Sequence, residues 1–306
     1  MIGKNNPAVA IIVLNWNGLT DTLECLNSLK EIDYPNYKVV VVDNASSDGS
    51  PEVIKVNFAE HMLLSNSENL GFPEGNNVGI RWALKDNYEY VLLLNNDTTV
   101  KGDFLSKLMD VCNSESKCGI VGPNILYHGE PTKSWSLGGY FGSRNGRPYQ
   151  YNSFSVFNGN PSLIREVGWV SGCALLIKSE AIKKAGLLDP DYFFGSEDAD
   201  WCARVKKTGY KILYVHDSVV FHKKPMQQLR KDFTPSELYY TMRNILIFAL
   251  KNDLFSFSFI LSFIISFTKR MMWVILTLNF NGISALFRAV IDFKRRRFGR
   301  ARYSFD

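Results

Sequence analysis

The chain has 306 residues, 46% of them hydrophobic and 21% charged, which suffices for one large α/β domain with an appendage and excludes wholesale disorder. The net charge of +5 is uneven: ten Lys or Arg against three Asp give +7 to residues 245–306 and leave −2 on the rest. A basic tail of this kind suits an anionic surface rather than an anionic substrate cleft, and no nucleic-acid partner is expected. Five cysteines, an odd number with no CxxC pair, exclude a disulfide framework and a zinc site and suit a reduced, cytosolic setting.

The first apolar run, residues 8–14, is too short for a signal peptide and reads as a strand buried on both faces. A helix follows, with Leu19, Leu23, Leu26 and Leu29 on one face and Asp21 and Glu24 in capping-box spacing. Strand 38–42, a polar turn, a helix from Pro51, strand 62–64, a helix over 74–85 and strand 90–94 come next. This alternation predicts a doubly wound, mainly parallel sheet with helices on both faces, in which ligands sit beyond the carboxyl ends of the strands. Residues 127–167, rich in Gly, Ser, Asn and Tyr, read as loops over the sheet with a mobile flap. Strand 169–177, a helix near Glu180, a helix over 197–207 and a last strand 212–215 complete the pattern.

After Asn244 the character changes. Residues 254–267 form an uncharged apolar run, about 21 Å as a helix and short of the roughly 30 Å hydrocarbon core. Lys269 and Arg270 interrupt it, 271–278 resumes it, and Lys294-Arg295-Arg296-Arg297 follows. Helices lying in the headgroup layer with a polybasic anchor are expected, on the cytoplasmic side of the membrane. Packing on the catalytic domain, or a homo-oligomer contact, is the alternative.

Four polar clusters follow predicted strands: LNWNG (14–18), VVDNASSDGS (41–50), NLGFPEGNNVG (69–79) and LLNNDTTV (93–100). A fifth, FFGSEDADWCARVKKTGYKI, spans 193–212. In this order they resemble glycosyltransferase family 2, inverting enzymes of the GT-A fold, and the third cluster resembles its rhamnosyltransferase-like subgroup. The resemblance implies a catalytic domain over 1–225, with a nucleotide-sugar half (1–100) and an acceptor half (101–225), and a helical, membrane-associating extension over 226–306. It implies transfer of a sugar, rhamnose in that subgroup, from a nucleotide-diphosphate donor to a saccharide or lipid-linked acceptor in cell-surface polysaccharide assembly.

On the same resemblance, Leu14, Asn15, Asn17 and Asp43 frame the base, Asp43 as acceptor for a pyrimidine N–H, although Asp and Asn also simply start turns. Asn69, Gly71 and Asn76 lie under the donor; Asn76 or Asn77 would equally cap a helix. Asn95, Asn96 and Asp97 fall at the family's Asp-x-Asp metal motif, with Asn95 in place of the first acid. Asp97 is the expected ligand of Mn²⁺ or Mg²⁺, and His222 is either a second ligand or an ordinary histidine. Asp198 matches the general base and Glu197 its neighbour that positions the acceptor. Trp169 and Gly172 border the acceptor site, with Trp169 equally readable as core. A nicotinamide oxidoreductase would need a glycine fingerprint after the first strand, where Asn15-Trp16-Asn17-Gly18 stands. A non-catalytic assembly protein of the same fold is the reading that Asn95 favours and the Glu197-Asp198 pair opposes.

Overall fold

The structure, a computed structural model, describes residues 6–151, 163–223, 233–303 and Phe305. In chain order the elements are β1 (Val9–Asn15), α1 (Leu19–Leu29), β2 (Tyr37–Asp43), α2 (Ser50–Asn57), β3 (Met62–Ser65), α3 (Gly71–Lys85), β4 (Tyr90–Asn95) and β5 (Thr98–Val100). They continue with α4 (Phe104–Ser114), β6 (Cys118–Tyr127), β7 (Glu130–Ser136), β8 (Gly139–Phe141), β9 (Pro148–Gln150), β10 (Ile164–Glu166) and β11 (Ala174–Lys178). The chain then forms α5 (Ser179–Ala185), a 3₁₀ turn (Pro190–Tyr192), α6 (Glu197–Lys207), β12 (Lys211–His222), α7 (Pro235–Lys251), α8 (Phe257–Leu276) and α9 (Phe280–Lys294).

The central sheet runs β10-β12-β6-β11-β4-β1-β2-β3. Its apolar strands bury both faces. Val9, Ile11 and Val13 of β1 pack with α1 and α4 on one side, while Ala10 and Ile12 pack with α3, α5 and α6 on the other. Strands β3, β2, β1 and β4 are parallel, as the alternation of strand and helix requires. The other half is mixed, because β11 enters antiparallel between β4 and β6. This reversal matters for the site: it carries the start of β11 to the carboxyl end of β4, where Asn95 N–H donates to Cys173 O at 2.8 Å.

Several boundaries differ from expectation, each because a tertiary partner decides it. Helix α3 begins at Gly71 rather than near residue 74. Asn76 therefore lies inside it, donating to Phe72 O at 2.8 Å, and Asn77 brackets Leu188; neither is a cap. Strand β11 begins at Ala174, and Trp169 instead makes an isolated bridge to Gly139. The stretch taken for loops holds β7 to β10, with residues 152–162 outside the described set. The last strand extends to His222, because after a register shift it rejoins β6. Asp21 and Glu24 do not cap α1: both pair with Lys223, and Asp48 accepts from Leu19 N–H at 3.0 Å in their stead. All five cysteines are buried free thiols.

The apolar segment forms one continuous 20-residue helix, α8, straight through Lys269 and Arg270. Arg270 is accommodated by a hydrogen bond to Ser266 Oγ and by its position over the Phe233 ring. Helix α9 packs against α7 through Leu238, Met242, Ala285, Leu286 and Ala289.

Candidate active site

The carboxyl ends of the parallel strands form one polar row. Leu14 pairs with Asn95 across β1 and β4, Asn15 with Asp43 across β1 and β2, and Asp43 with Ser65 across β2 and β3. Side chains knit the row together. Asn15 Nδ2 donates to Asp43 Oδ1 (2.8 Å) and Ser46 Oγ (3.0 Å), while Ser46 N–H donates to Asp43 Oδ2. Asn96 joins from β4 through Thr22 Oγ1 at 2.9 Å. Asn44 bridges Asn69, Asn66 and Gly71. Gly71 has φ +79, and an added Cβ would meet the backbone oxygen of Phe193 at 2.6 Å, so the start of α3 can touch Phe193 only as glycine. There Phe72 N–H donates to Phe193 O at 2.8 Å.

Strand β5 pairs antiparallel with β12, setting His222 opposite Thr98. That register brings together residues 125 positions apart. Asp97 Oδ2 lies 3.1 Å from His222 Nε2, and Lys223 N–H donates to Asp97 O at 2.9 Å. His222 is 3% exposed, stands edge-on to Trp135, and its buried Nδ1 has no hydrogen-bond partner. One carboxylate oxygen and one imidazole nitrogen at a cavity wall fit a divalent ion such as Mn²⁺. No group of three His, Cys, Asp or Glu assembles among the described residues, so the remaining oxygens would have to come from a bound ligand.

Helix α6 opens on Glu197 and Asp198. Asp198 is half-buried, accepting from Gly172 N–H (3.1 Å) and Ala199 N–H (2.7 Å). Burial pushes its pKa up, and the two backbone donors pull against that shift. Glu197 is 5% exposed and its Oε2 has no hydrogen-bond partner. Burial, then the neighbouring Asp198 charge, raises its pKa to about 8. Near neutral pH the environment therefore favours the protonated form of Glu197. The loop before α6 is held in positive φ at Phe193, Gly195 and Ser196. Asn244 of α7, fully buried, donates to the carbonyls of Tyr192, Phe194 and Gly195 at 2.7–2.9 Å. Arg243 adds a bond to Tyr192 O and is itself held by Tyr239. The sequence assigns these α7 residues no step, because their partners are main-chain carbonyls far upstream in the chain.

Two adjoining cavities result. One, of about 510 Å³, is lined by Asp97, His222, Asn95, Gly172, Glu197 and Asp198, among others. The second, about 500 Å³, is lined by Leu14, Trp16, Asn44, Asn69, Gly71 and the Asn95–Asp97 turn, and is closed by Phe193, Phe194 and residues of α7. Phe72, Asn95, Asp97 and Phe194 line both. The structure thus gathers most of the expected residues. Asn15, Asp43 and Asn76 are buried behind the walls, and Asn17 holds the 46–47 turn from outside. Trp169 packs under the β8–β9 hairpin, donating to Tyr149 O at 3.2 Å, apart from both cavities. Asp97 and Asp198, read as partners from positions 101 residues apart, face a common space.

The glycosyl transferase family 2 model matches residues 10–184. A dTDP-rhamnosyl transferase from Shigella flexneri is 23% identical over 257 residues, covering 81% of each chain. An N-acetylglucosaminyl-diphospho-decaprenol L-rhamnosyltransferase from Mycobacterium tuberculosis is 26% identical over 211 residues, 61% of this chain and 66% of that protein's length. Among solved structures, a mannosyltransferase from Pyrobaculum calidifontis in complex with GDP-Man and Mn²⁺ superposes with a TM-score of 0.59 at 20% identity, covering 81% of this chain and 65% of the other. Its likeness shows the GT-A fold. Matched over more than half its length, with its polar clusters gathered at the carboxyl edge of a GT-A sheet, this chain belongs to glycosyl transferase family 2.

Proposed function

We propose that the chain is an inverting glycosyltransferase that moves a hexose, rhamnose by analogy with the named relatives, from a nucleoside-diphosphate donor to a saccharide or lipid-linked acceptor for cell-surface polysaccharide. The observation that carries this reading is that Asp97 and Asp198 line one cavity, each on a wall of its own. In the adjoining cavity Leu14, Asn44, Asn69 and Gly71 hold the nucleoside, with Asn15 and Asp43 bracing that edge from behind. Asp97 and His222 would hold a divalent ion, Mn²⁺ or Mg²⁺, at the diphosphate end. That ion, when bound, supplies positive charge against the departing diphosphate. Asn95, lacking charge, contributes an oxygen and leaves ion affinity dependent on the donor.

Asp198 takes the proton of the acceptor hydroxyl as its oxygen bonds to the anomeric carbon and the bond to the diphosphate breaks, so configuration inverts. Gly172 and Ala199 N–H groups hold the carboxylate in place for this step. Glu197, neutral beside it, donates a hydrogen bond to the acceptor. Residues 1–225 form the catalytic unit and 226–306 the extension, whose exposed apolar stripe lies on a membrane surface. Calorimetry tests the donor half of this reading. Asp97→Ala should weaken nucleoside-diphosphate binding at least tenfold with Mn²⁺ present and leave the residual binding insensitive to the metal. Unchanged, Mn²⁺-dependent affinity in that variant would remove Asp97 from the site.

A further inference from the structure

The basic tail beyond α9 does more than follow the membrane-facing helices. It folds back along α7, and its backbone is pinned on both sides of Arg300. Gly299 N–H donates to Asp191 O at 2.7 Å, and Ala301 N–H donates to Tyr240 Oη at 2.9 Å. Farther on, Tyr303 bonds Asp292 at 3.0 Å and lies under Arg288, while Phe305 packs on Tyr239. These anchors set Arg300 in the wall of the 500 Å³ cavity that also contains Asn69, Asn95, Asn96 and Asp97.

Charge makes this position informative. Arg300 is the one Lys or Arg among the described residues lining that cavity, which otherwise carries the carboxylates of Asp97 and Glu237. Glu237 is turned to the N-terminus of α7, closing a capping box with Thr234. Lys223, in the neighbouring cavity, is spoken for by Asp21 and Glu24. Arg300 is exposed and makes no ion pair among the described residues. Asn69, Asn95 and Asn96, in the same wall, are neutral. A guanidinium fork suits two phosphate oxygens better than any neutral group present.

We infer that Arg300, delivered by the folded-back tail, is a donor-binding residue that contacts the diphosphate of the nucleotide sugar. The inference rests on the proposed donor site. It makes the C-terminal segment part of the active site as well as of the extension.

Titration calorimetry of the full chain with Mn²⁺ tests it, using UDP and dTDP against the corresponding nucleosides. Arg300→Ala should bind the preferred nucleoside diphosphate about ten- to a hundredfold more weakly, the range for loss of a charge-assisted hydrogen bond, with nucleoside affinity unchanged. Arg300→Lys should recover part of the loss. An unaltered unfolding temperature in both variants would confirm an intact fold. Wild-type affinity for the diphosphate in Arg300→Ala, or an equal loss for nucleoside and diphosphate, would overturn the assignment. Failure of the wild-type protein to bind either diphosphate would instead bring down the donor site itself, and this inference with it.

Discussion

In the proposed step Asp198 must carry charge to accept a proton, yet it sits where burial opposes charge; two backbone N–H donors work against that penalty. Asp198→Asn keeps the shape and the acceptor oxygen but cannot take a proton, and should slow transfer by about 10²–10⁴. Because burial raises its pKa above 3.8, the acidic limb of the pH–rate profile should fall at a higher pH than for an ordinary Asp, measurable in kcat. Glu197 gives a separate signature in stability. Its folded pKa, about 8, lies above the ordinary 4.5, so its contribution to stability is complete below about 4.5 and is lost as pH rises toward 8. Thermal melts should show the wild type losing stability between pH 5 and 8 (about the window these values set) and Glu197→Gln losing less. A parallel decline in both proteins would contradict the buried, neutral assignment.

At the scale of elements, α7 decides whether α6 is presented correctly. Asn244→Ala removes three bonds to the carbonyls of the strained loop before Glu197 and should destabilise the protein by about 1–3 kcal/mol in urea unfolding. It should lower kcat more than donor affinity, because the loop leads into the proposed base; an effect on donor affinity alone would show that the latch serves something else. The same helix shows where reading the sequence stopped. Strands β1, β2 and β4 were legible because both their faces are buried and their apolar runs are unbroken. Asp97, Glu197 and Asp198, whose roles are proposed above, stood out because short clusters in a fixed order carry them. Asn244 and Arg243 did not, because their partners are main-chain carbonyls about fifty residues upstream, which no local pattern records. Asp48 eluded the reading for a similar reason: it looks like a turn residue and caps a helix that precedes it in the chain. The antiparallel entry of β11 was equally hidden, since a buried strand has the same composition in either direction.

Across the whole molecule, the tail connects the second cavity to the apolar helices, and the β8–β9 hairpin touches α8. Arg147, at the hairpin, donates to Ser262 of α8 at 2.8 and 3.0 Å. Only Phe259 and Val274 of α8 are buried; Ile260, Leu261, Ile264, Ile265, Met272 and Ile275 form one exposed stripe at helical spacing. At twenty residues the helix is long and apolar enough to cross a membrane, and little of it is buried against the protein; in the proposed function it lies in the interface. With Leu261 and Ile264 both changed to Asp, binding to anionic vesicles should fall at least about a hundredfold by sedimentation, since each buried apolar side chain is worth roughly 1.5–3 kcal/mol. Transfer to a water-soluble acceptor should persist. Undiminished sedimentation would place the membrane contact elsewhere. The division of labour between the two walls of the cavity is tested most directly by a paired measurement on Asp198→Asn: donor affinity by calorimetry and single-turnover transfer with saturating donor, Mn²⁺ and acceptor. Donor affinity within about twofold of wild type, with the transfer step slowed at least a hundredfold, is the expected result. Transfer at the wild-type rate, or a loss of donor affinity that accounts for the whole defect, would contradict it.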